Sequence, residues 1–115
     1  MWKLVRVRGV SMSPVLGDRD LLLVRRLADA SSESLRAGDI ACFRHPDLGL
    51  IVKRVLERLP APTHFRIGSE NLLGSDESAL GPLPASALVG RVVLRLWPRP
   101  RPFRRRGPRP GRSGA

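Results

Sequence analysis

The sequence predicts a small, coiled, mostly β domain built from short antiparallel strands. Three observations carry this. Apolar residues fall in short runs that often alternate with charged ones, as in "WKLVRVRGV". Gly-Asp and Pro-containing turn signals separate these runs. With no Tyr, two Trp and three Phe, packing falls to Val and Leu, which suits strands better than long helices. A chain of 115 residues, 42% of them apolar, fits one domain with a modest core.

The elements follow in order. "WKLVRVRGV" reads as an edge strand beginning at Trp2 and Leu4. "SMSPVLGDRD" is a turn region, in which Pro14 restricts Ser13 to extended geometry and Gly17-Asp18 marks the turn. "LLLVRRL" is the second strand. "ADASSESLRAGD" is a polar loop closed by Gly38-Asp39. "IACFRHP" is the third strand, stopped by Pro46, and "DLGL" is a hairpin turn. The next segment, "IVKRVLERL", places Ile51, Val52, Val55, Leu56 and Leu59 at positions that suit a helix about as well as a strand. Its β-branched residues and the preceding hairpin favour a strand at least through Val55. "HFRIGS" is a further strand. "ENLLGSDESALGPLPASAL" is a loop with one helical turn near Pro84 to Leu88, and "VGRVVLRLW" is the last strand.

Charge is uneven. Of the formal +11, residues 95–115 supply eight and residues 1–94 the remaining three. "PRPRPFRRRGPRPGRSGA" holds too little apolar surface to fold alone. Residues 1–98 are therefore read as the folded domain and 99–115 as a disordered Arg/Pro-rich tail. Such a tail can touch polyanions without specificity. Phe103 is its single aromatic, so base stacking has little to work with.

Composition narrows the chemistry. One cysteine, Cys42, rules out an internal disulfide, and its apolar setting reads as a small core residue. One Cys and two distant His do not make a zinc site. No run reaches the ~20 apolar residues of a membrane span, and the N-terminal stretch lacks a signal peptide's apolar segment. A cytoplasmic chain is expected, with peripheral membrane contact through Trp2, Lys3, Arg6 or the tail left open.

Two residues ask for more than packing. Ser11 stands where the first strand gives way to its turn, so its hydroxyl can face a groove beside the sheet. Its plain alternative is a local turn hydrogen bond. Lys53, on a strand, shares a face with Ile51 and Val55. A charge buried there without a partner costs several kcal/mol, and desolvation lowers the amine's pKa. A neutral amine can take a proton from a serine hydroxyl, whereas Arg54 cannot. Snorkelling to water is the plain alternative for Lys53. Together Ser11 and Lys53 suggest a serine–lysine dyad of nucleophile and general base. His45, at a strand end, and His64, after "PAPT", read as turn or surface histidines.

These stretches resemble the type I signal peptidase family, in particular its small members that mature nickel-containing superoxide dismutase. "GVSMSPVLGDRDLLLV" resembles the serine box, with Ser11 on the nucleophile and Pro14 and Leu16 in register. "GDIACFRHP" is similar to the strand that follows. "GLIVKRVLERLP" resembles the lysine box, with Lys53 on the base. "GSENLLGSDESALGPLP" resembles the last box, with Gly68, Asp76, Gly81 and Pro84 in register, and "LVGRVVLRLWP" is similar to the closing strand.

The resemblance implies the antiparallel, barrel-like β fold of the signal-peptidase and LexA catalytic type. It also implies backbone oxyanion binding at Ser11, and Gly9 stands where some relatives carry a side-chain donor. Met12, Ser13 and Pro14 fall beside the substrate, and Asp76, Gly68 and Gly81 give structural support. Val15 replaces the usual threonine. Gly68-Ser69-Glu70 replaces the usual glycine-aspartate-asparagine, with Asn71 one place late. Gly74 and Ser78 stand where larger signal peptidases have serine and arginine.

The implied activity is a serine endopeptidase removing a short N-terminal leader or signal peptide, with a nickel superoxide dismutase precursor as substrate and no metal or organic cofactor. The substrate is pictured as an extended peptide added to an exposed strand edge. Three other readings compete. A membrane-associated general type I signal peptidase normally carries a spanning helix before the serine box, where ten residues stand here. A LexA-type self-cleaving repressor needs a DNA-binding unit upstream. A basic nucleic-acid-binding β module would depend on the tail and not on Ser11 or Lys53.

Overall fold

The computed structural model describes residues 1–9, 11–27, 34–60, 62–69 and 82–103. As predicted, it is mostly antiparallel β sheet. Eight strands are present: β1 (Trp2–Arg6), β2 (Leu21–Arg26), β3 (Ile40–His45), β4 (Gly49–Leu59), β5 (His64–Gly68), β6 (Leu83–Pro84), β7 (Leu88–Trp97) and β8 (Arg101–Pro102). Their order in the sheet is β1-β2-β7-β3-β4-β5-β6, and β8 pairs with β7. The segment that fitted helix or strand is an unbroken strand from Gly49 to Leu59. The expected helical turn is a single 3-10 turn over Ala85–Ala87.

Strand β3 explains how one sheet makes two cores. Its residues alternate, so Ile40 and Cys42 pack with Val5, Leu22, Val24 and Val92, while Ala41 and Phe43 pack with Val55, Phe65, Ile67 and Leu88. The β1–β2 end of the sheet thus lies over one face of β3 and the β5–β6 end over the other. Register shifts in β2/β7, β3/β7 and β4/β5 supply the bends that let the sheet curl both ways. Gly90 in β7 is a tight point, since a Cβ there would collide with the Arg25 carbonyl and lie 2.7 Å from Val24 Cγ1.

The sheet also runs past Pro98. Strand β8 pairs Arg101 and Pro102 with Arg95 and Leu94, and Phe103 donates its N–H to the Val93 carbonyl and packs against the first core. Reading 99–115 as a tail did not foresee this. Pro-Arg composition hides a two-residue pairing that needs only one free strand edge and one aromatic anchor. Residues 104–115 lie outside the described residues.

Candidate active site

The serine turn is pinned at both ends. The Val7 N–H donates to the Asp20 carbonyl (2.8 Å) and the Arg19 N–H to the Val7 carbonyl (2.7 Å), closing the base of the loop. Gly9, at φ +84, turns its N–H onto Asp18 Oδ1 at 2.8 Å, and the Gly17 N–H donates to Asp20 Oδ2 at 2.8 Å. The Leu16 N–H reaches the Met12 carbonyl at 2.8 Å. Met12 and Leu16 are buried in the first core and hold the turn down from inside. Ser11 and Ser13 stay half-buried and Pro14 is exposed. This answers why a hydroxyl-rich turn interrupts apolar strands. Its Met and Leu are core, its two aspartates are clasps, and Ser11 is left at the surface of a groove.

That groove, of about 660 Å³, is lined by Lys3–Arg8, Ser11 and Met12 on one side and by Leu48–Lys53 on the other. Its walls are two open strand edges. Among the described residues, strand β1 pairs only with β2. The first half of β4 pairs only with β3, because β5 joins it from Arg54 onward.

Lys53 lies opposite Ala41 of β3 and is 5% exposed, with its expected neighbours Ile51 and Val55 on the same face. Burial pushes its pKa below the usual 10.5. Its Nζ donates to Ser69 Oγ at 2.9 Å. Ser69 was noted from the sequence only as a departure from the usual aspartate. The pairing of Gly68 with Arg54 puts the next residue beside Lys53, a relation that hairpin register can reveal and composition cannot. Gly68 is buried at the end of β5. Asp76 and Gly81, like the rest of the last box from Glu70 on, lie outside the described residues.

Other candidates fall away from the groove. His45 Nδ1 accepts from the Asp47 and Leu48 N–H groups at 3.0 and 3.2 Å and so caps its hairpin. His64 Nδ1 contacts the Pro62 carbonyl at 2.6 Å. Cys42 is fully buried, and burial pushes its thiol up to about 12, the reverse of an activated nucleophile. Among the described residues no helix is long and apolar enough to cross a membrane.

The curled antiparallel sheet thus brings Ser11 and the buried Lys53 to the lining of one groove. The chain belongs to the Peptidase S24-like family, whose profile matches residues 2–93. No curated protein matches the sequence. The family match supports the S24/LexA-like peptidase superfamily and carries no evidence for the narrower group of superoxide dismutase maturation proteases. The LexA type is the one expected from the sequence for the fold, and a rival there only for the function.

Proposed function

We propose that the chain is a serine endopeptidase that removes a short N-terminal leader or signal peptide from a precursor, with Ser11 as nucleophile and Lys53 as general base. The observation that carries this is a buried amine of lowered pKa lining the same groove as Ser11. The extended substrate adds to the open edges of β1 and β4, where main-chain hydrogen bonds hold it. Neutral Lys53 takes the Ser11 proton as Oγ attacks the scissile carbonyl carbon. The Ser11 backbone N–H stabilises the oxyanion, with Met12 as apolar floor; Ser13 and Pro14, expected beside the substrate, are not part of the groove lining. Protonated Lys53 passes the proton to the leaving nitrogen, and a water activated by the same amine releases the acyl group.

A nickel superoxide dismutase precursor is the substrate proposed on the resemblance of the four boxes. The test is incubation of leader-bearing precursors, this one included, with wild type, Ser11→Ala and Lys53→Ala, reading new amino termini by mass spectrometry. Each substitution is expected to slow cleavage by roughly a thousandfold or more, and Lys53→Arg to restore nothing. Unchanged cleavage by both alanine variants would overturn the proposal.

A further inference from the structure

We infer that the groove selects extended peptide segments carrying a carboxylate side chain, read by Lys3. The inference takes from the proposed function only that the ligand is an extended peptide.

The argument begins with the charges along the β1 lip. Lys3, Arg6 and Arg8 all line the groove, and among the described residues no Asp or Glu does. Arg6 is already engaged, since its Nη1 donates to the Arg19 carbonyl at 2.9 Å and its guanidinium lies 5.8 Å from the Trp97 ring centre. The two carboxylates that follow β1 in the chain, Asp18 and Asp20, are engaged too. Asp18 holds Gly9, and Asp20 holds Gly17 and contacts Arg95 at 3.5 Å. Lys3 and Arg8 have no hydrogen-bond or ion-pair partner in the described structure.

Lys3 is placed unlike a solvated surface lysine. It alternates with the buried Val5 and Val7 and is half-buried itself. Its charge is felt at Cys42, where it opposes the upward push of burial. Lys3 thus lines the groove on the open edge of β1, where an added strand would run. Apart from Ser11 and Lys53, the rest of the lining is glycine or apolar, with Leu4, Leu48, Leu50 and Val52 among it. A peptide presenting small or apolar residues with one carboxylate toward Lys3 complements this wall. Lys3 stands near the end of β1 away from the serine turn, roughly 10 Å from Arg6 at about 3.3 Å per strand residue. The preferred acid therefore lies several residues from the scissile bond.

An inward lysine on an edge strand has another known use, which is to block edge-to-edge pairing between copies. The experiment separates the two. Ala- and Val-rich peptides carrying Asp at one position in turn, each paired with its Asn isostere, are labelled, and their binding to the full chain bearing Ser11→Ala is measured by fluorescence anisotropy. The same pairs are offered to wild type for cleavage. Tighter binding of the Asp peptide, by about threefold to tenfold at one or two positions and weakening with added salt, is expected from one partly screened ion pair. Lys3→Gln should erase the difference, and Arg66→Gln, a charge loss far from the groove, should keep it. Circular dichroism and gel filtration establish that the variants fold.

Equal binding of Asp and Asn peptides overturns the inference. So does a preference that survives Lys3→Gln, or a Lys3→Gln protein that self-associates with its preference intact. Cleavage without charge preference would sink this inference and leave the peptidase reading standing. Charge-selective binding without Ser11-dependent cleavage would do the opposite.

Discussion

A lysine residue that is 5% exposed pays to keep its charge unless an anion meets it, and so gives up its proton more easily. Among the described residues Lys53 has no carboxylate partner, only the neutral Ser69 hydroxyl. The sign of the pH effects follows. The unfolded chain keeps this proton up to about 10.5, whereas the folded chain releases it at lower pH. Between those two values the unfolded state binds more protons, so stability rises with pH through that window and is lowest below the folded pKa. The limb of kcat/KM belonging to the base should likewise rise with pH through a pKa below 10.5.

Ser69 then acts as a positioning residue. Its oxygen favours the ammonium over the free amine, and it fixes the direction of Nζ. Ser69→Ala should lower kcat/KM by about tenfold, the scale of roughly one lost charge-assisted hydrogen bond, and move that limb to lower pH. Ser69→Thr should restore both. A rate loss with an unmoved limb would reduce Ser69 to packing. Ser11 and Lys53 were readable from the sequence because a hydroxyl before a turn and a charge on an apolar face are local anomalies. Ser69 was not, because an ordinary serine after a glycine carries no such anomaly.

At the scale of elements, β3 and β7 bear the architecture. Both were readable from apolar runs, but nothing in "IACFRH" says that its two faces serve two cores. The two-residue strands β6 and β8 are too short to carry a periodic pattern and exist because a neighbour offers a free edge. Gly90 shows how closely β7 is fitted between β2 and β3, where it pairs with Arg26 and Cys42. Gly90→Ala would drive a methyl into the Arg25 carbonyl. It is expected to destabilise the domain by about 1–3 kcal/mol, read as a lower denaturant midpoint with unchanged slope. A midpoint equal to wild type would mean that β2 can yield at this point.

For the whole molecule, the question is what the charge does. The +11 is concentrated toward the C-terminus, and the family profile stops at residue 93. Deleting residues 104–115 keeps β8 and Phe103 and removes Arg104, Arg105, Arg106, Arg109 and Arg112. Peptide cleavage should stay within about twofold of wild type, while salt-sensitive retention on heparin falls. Loss of cleavage on deletion, with the domain still folded, would tie the tail to catalysis and favour the rival reading of a polyanion-dependent module.

The sequence by itself determined the β class, most strand positions, the serine turn and the anomalous lysine, because each rests on period-two patterning, turn chemistry or a charge out of place within a few residues. Tertiary structure alone decided that Ser11 and Lys53, 42 positions apart, line one groove between two open strand edges. It also decided that Ser69 meets Lys53 and that Lys3 lines the same groove. Such relations depend on strand order and on how the sheet curls, which are set by the sum of many weak packing contacts and written in no single stretch of residues.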